Sequence, residues 1–134
     1  MKLYADEEDS SAVRVLTVVV VSCLARVEVP AAIWRKHRIG ELATEDAAVL
    51  TAEFEADFFG DNHDEGRFAV VALPPILLDG AARLAAGHGL RAYDAVQLAS
   101  AGATRAADPR CATFACWDKT LRSAAAAEGF ALVP

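Results

Sequence analysis

The stretch Cys111-Ala112-Thr113-Phe114-Ala115-Cys116-Trp117-Asp118-Lys119-Thr120-Leu121-Arg122-Ser123-Ala124-Ala125-Ala126-Ala127-Glu128-Gly129-Phe130-Ala131-Leu132-Val133 decides the fold. Cys111 to Cys116 is short, apolar and strand-like. Asp118 opens a helix that runs to Glu128, and Gly129 stops it. Phe130 to Val133 is a last short strand. A strand, a helix and a second strand in so short a span form the unit from which parallel sheets are built.

Working back toward the N-terminus, the same alternation continues. A helix is expected from Ala92 to Arg105, and another from Pro75 to about Gly87, with proline at its first position. Phe68 to Leu73 reads as a strand closed by Pro74 and Pro75. The segment Gly60 to Gly66 is polar and glycine-bounded, so it reads as a loop. Its acids do not have the spacing of a calcium-binding loop. Thr44 to Phe59 reads as a helix capped by Thr44, with Glu45 and Asp46 suiting its N-terminal dipole. The four consecutive valines Val18 to Val21 form a buried strand. A helix capped by Ser22 follows and closes at Gly40, and Pro30 is expected to kink it near Arg26. The acidic run Asp6 to Asp9 opens a short helix carrying Ala12, Val13, Val15 and Leu16. The expected class is therefore α/β, with a mainly parallel sheet flanked by helices in three layers.

Composition sets further bounds. At 134 residues the chain is expected to be a single domain, 1–134. Hydrophobic residues make up 54% of it, and many are alanine, which suits closely packed helices. The formal net charge of -6 argues against a general nucleic-acid coat protein. It leaves open a carboxylate site neutralised by cations, or simply an acidic, soluble surface. The three cysteines, Cys23, Cys111 and Cys116, form no CxxC pair, so neither a disulfide framework nor a structural zinc site is expected. His37, His63 and His88 are scattered and form no ligand pair. No apolar run is long enough to span a membrane, and the N-terminus lacks the pattern of a signal peptide. A cytoplasmic protein is expected.

Three acids stand out by context. Glu28 lies between Val27 and Val29 in the helix after the valine strand. Asp94 lies in the first turn of the helix that begins near Ala92. Asp118 follows the strand Cys111 to Cys116. Taken singly, each has an ordinary reading: Asp94 and Asp118 as helix N-terminal acids, Glu28 as a surface group paired with Arg26 or Arg35. Taken together, they occupy places that a parallel sheet can bring to its carboxyl edge, where sites in such folds lie. Converging carboxylates repel one another unless a cation neutralises them, and hard oxygen ligands suit Mg²⁺ or Mn²⁺.

At these residues the chain resembles the PIN-domain family of VapC-type toxin ribonucleases. Val19-Val20-Val21-Ser22 and Glu28-Val29-Pro30-Ala31-Ala32 resemble that family's second strand and second helix. Gly89-Leu90-Arg91-Ala92-Tyr93-Asp94-Ala95-Val96-Gln97-Leu98-Ala99-Ser100-Ala101 is similar to its most recognisable segment. Phe114-Ala115-Cys116-Trp117-Asp118 resembles its motif of threonine or serine, any residue, then aspartate, with Cys116 in the hydroxyl position. The resemblance implies a PIN-like fold and endoribonuclease activity on RNA with Mg²⁺ or Mn²⁺. It also implies inhibition by a cognate antitoxin and frequent homodimers. It places Glu28, Asp94 and Asp118 at the second, third and fourth acidic positions, as catalytic and metal-binding residues. The family's first strand and first aspartate have no counterpart after Met1. The resemblance thus implies an N-terminally truncated domain, or a natural start upstream of Met1.

The alternatives are distinct in class. One is a catalytically weakened or inactive PIN-like protein that survives as an antitoxin-binding partner. Another is a phosphoacceptor receiver domain, disfavoured because Phe68 to Leu73 ends in Pro74 rather than an aspartate. The cluster Arg35-Lys36-His37-Arg38 reads either as a phosphate contact or as a solvated helix end that suits the dipole. Arg91, Arg105, Arg110, Lys119 and Arg122 are dispersed cations. Trp34 and Trp117 read as base-stacking groups or as packing, and a groove for an antitoxin helix is expected around Trp34 and Phe54.

Overall fold

A computed structural model describes residues 18–60 and 66–133. The acidic run from Asp6 and the helix expected there lie outside the described residues, as do residues 61–65 of the polar loop. Among the described residues the order is β1 (Val19–Ser22), α1 (Ala25–Arg38), α2 (Thr44–Phe59), β2 (Phe68–Val71), α3 (Pro75–His88), α4 (Ala92–Ala107), β3 (Thr113–Phe114), α5 (Lys119–Ala127) and β4 (Ala131–Leu132). The fold is mixed α/β. No described helix is long and apolar enough to cross a membrane. Contacts divide the chain into two compact units. One is built around residues 23–70 and the other around residues 71–133 together with residues 20–22.

In the first unit α1 packs against α2. Ile33 and Ala47 are fully buried and Phe54 is 1% exposed. Phe54 stacks in tilted geometry on Phe58 at 5.6 Å and on Phe68 at 6.2 Å between ring centroids. Aromatic pairs at such offsets add to the burial of apolar area. Helix α1 runs through Pro30, whose missing N–H leaves the Arg26 carbonyl without its helical donor. The basic last turn of α1 is used locally: Lys36 pairs with Glu41 at 3.0 Å, and His37 Nδ1 lies 3.1 Å from the Leu42 carbonyl oxygen. Those contacts favour the helix-end reading of Arg35 to Arg38.

The core of the second unit gathers Ala81, Leu90, Ala95, Leu98, Leu121, Ala124, Ala125 and Phe130. Half of these are alanine, so α3, α4 and α5 approach with little side chain between them. Helix α3 starts at Pro75 and packs on α4. Strands β3 and β4 pair in parallel, Thr113 opposite Ala131 and Phe114 opposite Leu132. The strand Cys111 to Cys116 expected from sequence is thus paired over two residues.

Gly129 sets the return from α5 to β4. Its φ of 84° lies in the left-handed region, where a side chain is strained. The turn it makes lets Gly129 N–H donate to the Ala126 carbonyl at 2.9 Å and Phe130 N–H to the Ala125 carbonyl at 3.0 Å. That is the paired bond pattern that closes many helices. Phe130 then turns inward, 6% exposed, and meets Phe114 at 5.7 Å. Arg122 ties the strand ends together: its Nη1 donates to the carbonyls of Cys116 and Val133, each at 2.9 Å.

Candidate functional site

Asp118 occupies the N-cap of α5, four residues beyond the carboxyl end of β3. Its Oδ1 accepts from the Leu121 N–H at 3.0 Å, which satisfies one of the orphan donors of the first turn. The second oxygen is left for other work. Asp94 stands in the first turn of α4, three residues after Arg91. Arg91 is the extended residue before that helix, and its guanidinium reaches both acids. Nε donates to Asp94 Oδ2 at 2.7 Å and Nη2 donates to Asp118 Oδ2 at 3.4 Å. The structure therefore brings two of the three expected site residues to one cation, although 27 positions separate Arg91 from Asp118.

Exposure differs among the three. The Arg91 side chain is 76% exposed, that of Asp94 18%, and that of Asp118 42%. The hydrogen bond to Asp94, then the charges of Asp94 and Asp118, raise the Arg91 pKa above its ordinary value. The guanidinium is always charged in any case, so a permanent cation offsets one of the pair's two negative charges.

Cys116 sits beside this pair, where the resemblance expects a hydroxyl residue. Burial pushes its thiol up to about 11, opposed by Arg122 and reinforced by the negative charges of Asp118 and Asp94. A thiol in that state stays protonated near neutrality and is a poor nucleophile.

Glu28 belongs to the first unit, half-buried in the first turn of α1. Ser22, expected to cap α1, instead ends β1 and is 1% exposed. The residue preceding α1 is Leu24, which makes no side-chain cap. Ser22 Oγ has no hydrogen-bond partner among the described residues. Thr44 is likewise not the cap of α2: Ala43 holds that position and Thr44 is the first helical residue. Phe54 lies in the core of its unit, which removes it from the groove expected around Trp34 and Phe54.

A cavity of about 430 Å³ in the second unit lies between α3 and α4, lined by residues that include Ile76, Leu77, Leu84, Leu98, Gly102 and Phe130. It is apolar, and neither Asp94 nor Asp118 lines it, so it is not the carboxylate site.

Among the described residues no three of His, Cys, Asp and Glu gather in a metal-ligating group. Two carboxylates are nevertheless a sufficient protein donor set for Mg²⁺, which keeps several waters and binds through one or two carboxylates. Asp94 and Asp118 fit that chemistry, with Arg91 marking the place where positive charge is needed.

The sequence reading placed Arg91 only among dispersed cations. The signal that identifies it is its spacing, three residues before Asp94 at a helix start, where such pairs meet. No family model matches the chain, and no curated protein matches it.

Proposed function

We propose that this chain is a PIN-like endoribonuclease of the VapC toxin type, which hydrolyses RNA phosphodiester bonds with Mg²⁺ or Mn²⁺. The observation that carries the reading is the pairing of Asp94 and Asp118 on one guanidinium, in two of the segments that carry the family resemblance. Asp94 and Asp118, both in the second unit, would hold the cation. A divalent cation bound there supplies charge neutralisation and an activated water. The chain's own contribution is position. The cap bond from Leu121 fixes Asp118, and the first turn of α4 fixes Asp94. The proposal includes a cytoplasmic setting, a cognate antitoxin as inhibitor, and a homodimer.

A second reading keeps the fold and drops the chemistry: an inactive PIN-like protein that binds an antitoxin. It is favoured by Arg91, which already occupies the pair as a counter-cation. Cleavage of single-stranded RNA with Mg²⁺ or Mn²⁺ separates the two. The proposed enzyme cleaves, and Asp94→Asn and Asp118→Asn each lower the rate by about a hundredfold or more, beyond what outer-shell changes at metal sites produce. Wild-type protein that leaves RNA intact under all these conditions, yet is captured by an antitoxin, establishes the second reading.

A further inference from the structure

Arg91 reaches two acids with one exposed side chain, and both bonds end on Oδ2 atoms. Neither acid needs Arg91 to stay in place. Asp118 is held by its bond from Leu121 N–H, and Asp94 is carried by the backbone of α4. The Arg91 side chain is 76% exposed, so little of it is packed against the protein. The arrangement is an anionic pair fixed by two helix starts, with a removable cation laid across it.

We propose that Arg91 is the built-in counter-cation of the Asp94–Asp118 pair, and that a divalent cation binds by displacing it. Arg91 is then a positioning residue whose charge sets how tightly the pair takes metal. The inference rests on the reading that this pair holds a divalent cation. It adds that the chain itself offsets one of the pair's two charges in the metal-free state, and that metal affinity is lowered by competition.

The test is Mn²⁺ binding to the full chain, read by electron paramagnetic resonance and calorimetry with Mn²⁺ alone as the probe. Arg91→Gln binds Mn²⁺ about fivefold tighter than wild type, the upper end of what an exposed ion pair contributes. Arg91→Lys keeps a charge without the fork geometry and falls between the two. Guanidinium chloride, far below denaturing concentrations, returns the Arg91→Gln affinity toward the wild-type value and leaves wild type nearly unchanged. Asp94→Asn loses binding. If wild type binds Mn²⁺ and Arg91→Gln binds it equally or more weakly, the competition is overturned while the metal reading stands. If neither protein binds Mn²⁺, both are overturned. Circular dichroism of each variant confirms that the fold is retained.

Discussion

Asp118 performs two tasks with its two oxygens, and substitution separates them. Oδ1 caps α5 and Oδ2 faces Arg91. Asparagine caps as well as aspartate, so Asp118→Asn leaves stability within a few tenths of a kcal/mol, whereas Asp118→Ala costs about 1 kcal/mol. Urea denaturation measures both, and an equal loss in the two variants contradicts the cap. Cys116 offers a second test at this scale. Its folded pKa of about 11 lies above the ordinary 9.0, so folding favours the neutral thiol. That contribution is fully present below pH 9 and is lost as pH rises through 11. In a Cys23→Ser, Cys111→Ser background, iodoacetamide at pH 8 therefore modifies folded Cys116 roughly a hundredfold more slowly than the urea-unfolded chain. Equal rates refute the shift. The reading of Asp118 as a helix-start acid was available from sequence because capping is local. The involvement of Arg91 with Asp118 was not, because it depends on how β3 and α4 are brought together.

Elements show the same division between local and distant causes. Helix α2 ends at Phe59 as the sequence suggests, although Thr44 is its first residue and not its cap, and α3 begins at Pro75, since proline and periodicity act over a few residues. The strands are shorter than their apolar runs. Cys111 to Cys116 has strand composition throughout, yet only Thr113–Phe114 finds the pairing partner Ala131–Leu132. Composition marks a segment able to pair, while register and length come from the partner. Ser22 shows the converse. Its hydroxyl made it a cap by residue type, but β1 extends through it and buries it. Two glycines test the backbone account with opposite signs. Gly129 has φ 84°, so Gly129→Ala forces a side chain into the left-handed region, costs about 1–2 kcal/mol, and loosens the entry to β4. Gly102 lies within α4, and an added Cβ there meets nothing within 4 Å. Gly102→Ala therefore stabilises by up to about 1 kcal/mol. Urea midpoints of the two variants moving in the same direction contradict this account.

For the whole molecule, the proposed cation site carries a consequence for stability, on a chain whose net charge is -6. Alternating helices and strands predicted an α/β chain, and the fold is mixed α/β, but periodicity within segments carries no information on how contacts partition a chain into two compact units. A ligand that binds only the folded state stabilises it in proportion to the logarithm of its concentration, by about 2.7 kcal/mol at one hundred times its dissociation constant. Binding of Mn²⁺ at Asp94 and Asp118 thus raises the melting temperature by several degrees, in steps that follow the logarithm of the Mn²⁺ concentration. The metal-free Asp94→Asn protein loses only an ion pair whose Arg91 side is 76% exposed, so it melts within a few degrees of wild type. What it lacks is the response to metal: its melting temperature stays flat across the same titration. A shift of equal size in wild type and Asp94→Asn places the bound cation elsewhere on the acidic surface. No shift in either protein removes the metal from the proposed mechanism and leaves Arg91 as the permanent partner of the pair.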